Sequence, residues 1–217
     1  MPEPAVKVAC FDLGGVVVRI CNGWEQGCAA AGLDLRAGEI TPDSIDAKSQ
    51  LVHDLTIGAI DGPTFFAALT EGVGGLYSPE EFERVHRAWI LGEYAGVSEI
   101  IAALRDHPDC AVACLSNTNQ IHWDQMLGKD GASFPAFAAL EHKHASHLLG
   151  SAKPDESIYR AFEREMNIAG DAILFFDDRQ ENIDTAQSVG WRTQRIDPTT
   201  ETAPQIESAL RAHGVLQ

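Results

Sequence analysis

The sequence predicts an α/β protein whose core is a doubly wound, Rossmann-like parallel sheet interrupted by an all-helical insertion. Short apolar runs rich in β-branched residues recur along the chain, as is typical of strands buried on both faces of a parallel sheet. Segments with helical spacing lie between these runs, and such alternation is typical of this architecture. Residues 20–96 carry helical patterns only, which predicts a helical cap within a core formed by residues 1–19 and 97–217.

Five apolar runs predict the strands of the core sheet, at residues 5–11, 111–115, 137–140, 172–176 and 191–196. Helical spacing predicts a helix over 98–104 before the second strand and another over 155–166 before the fourth. A third predicted helix, over 180–189, stops at Gly190, because glycine commonly ends helices. The tail after Asp197 predicts a turn and a final amphipathic helix.

Two helix starts are recognisable within the cap. Ser78 is a good N-cap, and Pro79 with two acidic residues fills the first turn after it. The turn that begins at Asp61 predicts the entry into another helix. The aromatic residues of this region either line a substrate pocket or form the cap's own core, and helical spacing favours the core for most of them. They are Trp24, Phe65, Phe66, Trp89 and Tyr94.

Composition excludes several classes of partner. With 16 Lys+Arg against 32 Asp+Glu, the net charge of −16 leaves no basic face for nucleic acid or an anionic membrane. The apolar run over 8–18 is too short to span a bilayer, and residues 1–4 do not resemble a signal peptide. Five cysteines without a C-x-x-C pair predict reduced, buried thiols. We therefore expect a cytoplasmic monomer or homodimer whose partner is a small molecule.

Asp12 is the first candidate for chemistry. It lies at the carboxyl end of the first predicted strand, where open parallel sheets bind their ligands. Gly14 and Gly15 follow, and glycine lets the backbone approach a bound anion or metal closely. Taken alone, this segment also fits an ordinary turn that ends a strand.

Two further segments fit a phosphate site. Ser116, Asn117 and Asn119 follow the second strand just before a predicted helix, where small polar side chains and free amides bind phosphate. Lys153 lies in a loop that Pro154 restricts, so its ammonium group can neutralise an anion at a fixed position. An ordinary helix N-cap and a solvated surface lysine are the structural alternatives.

Asp177 and Asp178 directly follow a fully apolar strand, and packing alone does not explain two adjacent carboxylates there. Together with Asp12 they would bring three negative charges into one crevice, which requires a cation. Hard oxygen ligands suit Mg²⁺, and Mg²⁺ together with Lys153 would balance the three carboxylates. The sequence therefore predicts a magnesium site at the carboxyl edge of the sheet.

In this order the motifs resemble those of the haloacid dehalogenase (HAD) superfamily, and the insertion lies where that superfamily carries a C1-type cap. The wording Leu-Ser-Asn-Thr-Asn, with His122 after it, and Phe-Phe-Asp-Asp, with Asn182 after it, is closest to bacterial sugar-phosphate phosphatases of the α-glucose-1-phosphatase type. The resemblance implies a Mg²⁺-dependent phosphatase that hydrolyses a small phosphorylated metabolite, with a sugar phosphate favoured.

The resemblance also implies a role for each residue. Asp12 would be the nucleophile that forms an aspartyl-phosphate. Ser116 would hold the transferring phosphate oxygens, and Lys153 would neutralise charge on the phosphate and on Asp12. The polar segment after the second strand adds Asn117 to the predicted phosphate contacts, and the glycine pair after Asp12 adds Gly14 and Gly15.

For the metal, the resemblance implies that Mg²⁺ binds the Asp12 carboxylate, the Gly14 carbonyl and Asp178. Asp177 would bind the ion directly or orient a water on it. Gly14 occupies the position where many phosphatases of the family have an aspartic acid as the general acid, and losing such a group typically costs about 10²–10⁴ in rate. The similar sugar phosphatases also have glycine there.

We predict that His122, a cap residue or a water supplies the missing proton, with Asn119 as a further candidate for contact with the substrate.

A metal-independent haloacid dehalogenase is one alternative function. The paired Asp177 and Asp178 oppose it, because without a metal their charge would repel the nucleophile. A non-catalytic phosphometabolite-binding protein is another, and Gly14 is its best support. The histidine-rich segment 141–147 is predicted to be a polar loop rather than a transition-metal site.

Overall fold

The computed structural model describes residues 5–36 and 42–216. Residues 1–4, on which the signal-peptide prediction rests, lie outside the described residues. No helix in the described ranges combines the length and the apolar character that a membrane crossing requires. The five cysteines are buried free thiols, as predicted for their packing. Their reduced state stays a prediction.

Five parallel strands form the central sheet, in the spatial order β5-β4-β1-β6-β7, and β2 and β3 form a separate antiparallel pair. This order confirms the predicted doubly wound α/β core. In chain order the strands are β1 Val8–Phe11, β2 Val18–Ile20, β3 Ile90–Glu93, β4 Ala111–Ser116, β5 His142–Ala145, β6 Ile173–Asp177 and β7 Arg192–Arg195.

Helices pack on both faces of this sheet and fill the predicted insertion, where α1 to α4 lie. In chain order they are α1 Trp24–Ala30, α2 Pro42–Thr56, α3 Gly62–Gly72, α4 Pro79–Ala88, α5 Val97–Arg105, α6 Gln120–Met126, α7 Pro135–Ala139, α8 Ser146–Leu149, α9 Glu156–Met166, α10 Gln180–Ser188 and α11 Ala203–Ala212, with a short 3-10 turn at Gly170–Ala172. The two helix starts predicted in the cap are confirmed, because Asp61 caps α3 and Ser78 forms a capping box with Glu81 at α4.

The third predicted strand is wrong. Residues 137–140 begin inside α7, which starts at Pro135. The backbone amides of Ala136 and Phe137 each donate a hydrogen bond of 3.0 Å to the Glu93 carboxylate. The strand lies further along the chain, at His142–Ala145, as an edge strand paired only with β4. Its polar sequence conceals it, because an edge strand does not need an apolar run. The histidine-rich segment 141–147 is therefore strand and helix rather than a loop.

The cap segment has a hydrophobic cluster of its own, distinct from the two clusters that flank the sheet. The short β2–β3 pair was not predicted, since each strand is only three or four residues long. It joins the two ends of the helical segment to the core. These features support the cap boundaries at residues 20–96, which stay a prediction. The cap cluster consists of Cys28, Leu55, Phe65, Phe66, Leu69, Tyr77, Phe82 and Val85.

Candidate active site

Two neighbouring strands deliver the predicted acidic residues to one edge of the sheet. Asp12 follows β1, and Asp177 ends β6, which pairs with β1 in parallel. The side chains of Asp12, Asp177 and Asp178 each present one oxygen, and these oxygens lie within 4.8 Å of one another. We call these three residues the carboxylate crevice. It forms at the carboxyl ends of the strands, where ligands bind in open α/β sheets.

Lys153 lies inside the carboxylate crevice and bridges two of its members. Its Nζ is 3.1 Å from Asp12 Oδ1 and 2.6 Å from Asp177 Oδ2, and its side chain is fully buried. Burial alone would lower the pKa of Lys153, but Asp12 and Asp177 raise it above its ordinary value. Lys153 is therefore a fixed positive charge beside Asp12, not a solvated surface lysine.

The ionisation of Asp12 depends on the cations near it. Burial raises the pKa of Asp12, and the charges of Asp177 and Asp178 raise it further. Lys153 and a hydrogen bond from Ser116 oppose this rise. The Leu13 amide donates to Asp12 Oδ1 at 2.7 Å, which orients the carboxylate. A second cation in the crevice would favour the carboxylate form further.

Asp177 is held by donors from the protein. Its carboxylate accepts hydrogen bonds from the Arg179 amide at 2.9 Å, from Asn182 Nδ2 at 2.9 and 3.0 Å, and from Lys153. Tyr159 Oη in turn donates to the Asn182 carbonyl at 2.9 Å. Asp177 is fully buried, whereas Asp178 is partly exposed. Within the carboxylate crevice, Asp177 is therefore the member that anchors Lys153.

The backbone at Gly15 passes close to Asp178. Gly15 has φ of +77°, and a Cβ there would lie 2.8 Å from both Cγ and Oδ2 of Asp178. Glycine is therefore required both by the conformation and by the space. Gly14, the residue before it, bridges to Val18. Three carboxylates with backbone held this close form a hard-oxygen donor set, and such a set fits Mg²⁺.

Asn117 does not point its side chain into a phosphate cradle. Its Nδ2 donates to the Lys153 carbonyl at 2.7 Å, and its Oδ1 accepts from the Lys153 amide at 2.8 Å. Both polar atoms of the side chain therefore fix the loop that carries Lys153. The predicted side-chain contact between Asn117 and phosphate is replaced by a positioning contact. Ser116, which ends β4, keeps its hydrogen bond to Asp12.

Asn119 and His122 meet a histidine of the cap. Asn119 Oδ1 caps α6 and accepts from His86 Nε2 at 3.1 Å, while His122 Nε2 donates to the His86 carbonyl at 2.7 Å. Burial lowers the pKa of His122 to about 3, and the adjacent His86 lowers it further. The imidazole is neutral at physiological pH, so the structure argues against His122 as the proton donor.

The histidines of segment 141–147 do not assemble into a metal site. His144 Nδ1 contacts Glu165 at 2.8 Å, and its ring packs edge-on against Phe162. In the part of the chain that the structure describes, the carboxylate crevice is the group with the geometry to hold a metal ion.

Sequence reasoning missed two residues of this region. His86 lies on the same face of α4 as Phe82 and Val85, and Trp89 continues this face directly after the helix. A polar residue on an otherwise apolar helix face was the signal that the sequence offered. Ser146 is fully buried and hydrogen-bonds the amide of Thr118 and the carbonyl of Thr56. It had no recognisable signal, because serine is common at helix starts.

Comparisons with known proteins agree with this geometry. The family of haloacid dehalogenase-like hydrolases matches residues 6–190. A phosphatase of Mycobacterium tuberculosis (strain CDC 1551 / Oshkosh) is 28% identical over 72 residues, which is 33% of this chain and 33% of that protein. The match thus spans about a third of the length of this curated relative.

Solved structures of low sequence identity share the fold. A HAD family enzyme of Bacteroides thetaiotaomicron, in complex with magnesium and inorganic phosphate, is 23% identical, covers 90% of this chain and 96% of its own, and has a TM-score of 0.72. A defluorinating L-2-haloacid dehalogenase is 18% identical, covers 92% of this chain and 84% of its own, and has a TM-score of 0.60. With a family match over most of its length and the crevice at its strand ends, the chain belongs to the haloacid dehalogenase-like hydrolases.

Proposed function

We propose that the protein is a Mg²⁺-dependent phosphatase that hydrolyses a small phosphorylated metabolite through an aspartyl-phosphate on Asp12. The observation that carries this proposal is the placement of Lys153 between Asp12 and Asp177, with Asp178 facing the same crevice. The phosphatase of M. tuberculosis and the magnesium and phosphate bound by the B. thetaiotaomicron enzyme support it.

Asp12 carries out the nucleophilic step. Its Oδ1 is held by the Leu13 amide and by Lys153, so we assign the attack on phosphorus to Oδ2. As the new bond to Asp12 forms, the ester oxygen leaves with the bonding pair and takes a proton. Water then hydrolyses the acyl phosphate and regenerates the carboxylate. Ser116 and Lys153 contact the transferring oxygens, so that charge develops opposite a fixed cation.

The metal-binding residues in this proposal are Asp12, Asp178 and the Gly14 carbonyl. When bound, Mg²⁺ would supply positive charge that offsets the carboxylates and the phosphate oxygens. Asp177 acts as the anchor of Lys153, because its oxygens already accept hydrogen bonds from Arg179, Asn182 and Lys153.

The leaving group takes its proton from water in this proposal. Gly14 has no proton to donate, and the low pKa of His122 speaks against the histidine predicted for that role. The similarity in motif sequence favours a sugar phosphate. A sugar hemiacetal is a less basic leaving group than an ordinary alkoxide, so it needs a weaker acid.

The acidic surface of the protein does not attract anions, so binding of the phosphorylated substrate depends on the carboxylate crevice with its cations. We also propose a reducing, cytoplasmic location and a monomer or homodimer.

A panel of phosphate monoesters, assayed for phosphate release with and without Mg²⁺, tests this function. Halide release from 2-haloacids is measured in parallel, because a dehalogenase shares the fold. The proposal expects phosphate release that requires Mg²⁺ and no halide release. Halide release without Mg²⁺ would establish the dehalogenase instead. Phosphate binding without turnover on any ester would establish the non-catalytic protein.

A further inference from the structure

A cavity of about 380 Å³ lies between the cap helices and α6. Protein cores leave few voids larger than a water molecule, whereas pockets for small molecules begin at about 300 Å³. The size of this cavity is therefore within the range of pockets that bind small molecules. Its apolar walls include Trp24, Leu55, Phe65, Phe66, Leu69 and Trp89.

The lining of the cavity is apolar and uncharged. Nine of its thirteen lining residues are aliphatic or aromatic, and the polar remainder is Thr56, His86, Asn119 and His122. Burial lowers the pKa values of both histidines, which favours their uncharged forms. A phosphate group placed here would meet no cation among the lining residues.

The polar lining residues are largely occupied with one another. His86 Nε2 donates to Asn119 Oδ1, and His122 Nε2 donates to the His86 carbonyl. Asn119 Oδ1 also accepts the amides of Ile121 and His122. A sugar ring in this cavity would leave several hydroxyl groups without partners, which is unfavourable.

One short segment connects the cavity to the phosphate site. Ser116 hydrogen-bonds Asp12, and Asn117 holds the Lys153 loop. Asn119, three residues after Ser116, lines the cavity. The segment 116–119 therefore contributes residues both to the phosphate site and to the cavity.

We propose that the cavity binds an uncharged apolar group of the substrate, an aryl or branched alkyl moiety, while the phosphate lies at Asp12. The proposal rests on the phosphatase function and names its substrate class. It departs from the sugar phosphate that the motif sequences favour, because the cavity lining offers apolar surface and few groups that could hydrogen-bond the hydroxyls of a sugar. Five aromatic residues line the cavity, and flat rings pack well against such surfaces.

A comparison of benzyl phosphate with glucose 6-phosphate tests the substrate class. Both are esters of primary alcohols, so a difference between them reports the pocket more than the leaving group. We expect kcat/KM for benzyl phosphate to be at least about tenfold higher than for glucose 6-phosphate, because differences in pocket contacts typically change kcat/KM by this factor or more. An equal or higher kcat/KM for glucose 6-phosphate would overturn the proposal.

Filling the cavity tests its location. In Leu69→Trp, we expect the ratio of kcat/KM for benzyl phosphate to that for methyl phosphate to fall about tenfold. Leu127→Trp is the matched control, because Leu127 is 48% exposed and outside the cavity lining, and the ratio should stay unchanged there. Val85→Leu adds less volume to the cavity and provides a second filled variant in case Leu69→Trp does not fold. An unchanged ratio in both filled variants would contradict the proposal.

Failure of the phosphatase function is distinguishable from failure of the cavity proposal. If no ester releases phosphate, the function fails, and the cavity is then tested by calorimetry with Asp12→Asn protein. Tighter binding of benzyl phosphate than of glucose 6-phosphate supports the cavity proposal, and the reverse order refutes it.

Discussion

His86 of the cap helix α4 and His122 of the core helix α6 stack face to face, with ring centroids 4.0 Å apart and planes inclined by 8°. The hydrogen bond from His122 Nε2 to the His86 carbonyl, at 2.7 Å, joins the same two helices. The contact therefore links cap and core through two stacked imidazole rings in a buried site. Protonating one ring would place a charge in a buried site, and protonating both would add repulsion.

The stability of the protein should depend on pH through His122. Burial lowers the pKa of His122 to about 3 in the folded protein, so the unfolded chain binds the extra proton below pH of about 6.5. The contribution of the neutral His122 ring to the free energy of unfolding is therefore complete above pH 6.5 and is lost as the pH falls towards 3. Wild type should lose about 2 kcal/mol more than His122→Asn between pH 7 and pH 5, measured by urea unfolding.

His142→Asn is the control for that experiment, because it makes the same substitution at an exposed histidine on the edge strand, away from the contact between α4 and α6. Equal pH dependence in wild type and His122→Asn would show that His122 is not buried as a neutral ring.

Lys153→Met should abolish most of the activity and also destabilise the fold. The change removes a buried cation from two carboxylates, and such losses typically cost about 3–5 kcal/mol. We expect phosphate release to fall at least about 10³-fold, because the fixed charge stabilises the transferring phosphate. Lys143→Met, at a partly buried lysine on β5, is the control. Activity near the wild-type rate in Lys153→Met would remove Lys153 from the mechanism.

Gly15→Ala should weaken activation by Mg²⁺. The added Cβ would lie 2.8 Å from the Asp178 carboxylate, so the Asp178 side chain must move. The alanine would also have to adopt φ of +77°, which is unfavourable for any residue other than glycine. We expect the Mg²⁺ concentration for half-maximal activity to rise at least about tenfold, as happens when the supports of a metal ligand are disturbed. Gly72→Ala, in open space at a helix end, is the control. An unchanged Mg²⁺ requirement would show that Asp178 is not a ligand.

Asn117→Ala should lower kcat more than it changes KM. The side chain makes two hydrogen bonds to the Lys153 backbone, and losing them frees the loop that places the ammonium group. We expect kcat to fall about tenfold or more, since small displacements of a positioned group are costly. Asn117→Asp keeps the acceptor for the Lys153 amide and should retain more activity. A change in KM alone would instead indicate direct contact with the substrate.

The fold was predictable where the physical signal is local. Buried central strands such as β1 and β6 need continuous apolar runs, and both were found from the sequence. The edge strand β5 was missed because His142 and Lys143 face partly outward and carry no apolar pattern. The apolar run near Phe137 suggested a strand, yet Pro135 and the Glu93 carboxylate start a helix there.

The site was predictable to a similar extent. Asp12, Asp177 and Asp178 were recognisable because adjacent carboxylates at strand ends have no packing explanation. The partners of Asn117 and His122 were not, since they depend on contacts between segments far apart in sequence, such as Asn117 with Lys153 and His122 with His86. Long-range pairing of polar side chains leaves no periodic signal in a single sequence.

The central claim, that phosphate is transferred to Asp12, is tested most directly by trapping the intermediate. The protein is mixed with benzyl phosphate and Mg²⁺, quenched during turnover and treated with borohydride, which reduces an aspartyl-phosphate to homoserine. Peptide mass spectrometry then locates the reduced residue. The account predicts homoserine at position 12, absent without substrate and absent in Asp12→Asn. Phosphate release without any reduction at position 12, or reduction at another carboxylate, would contradict it.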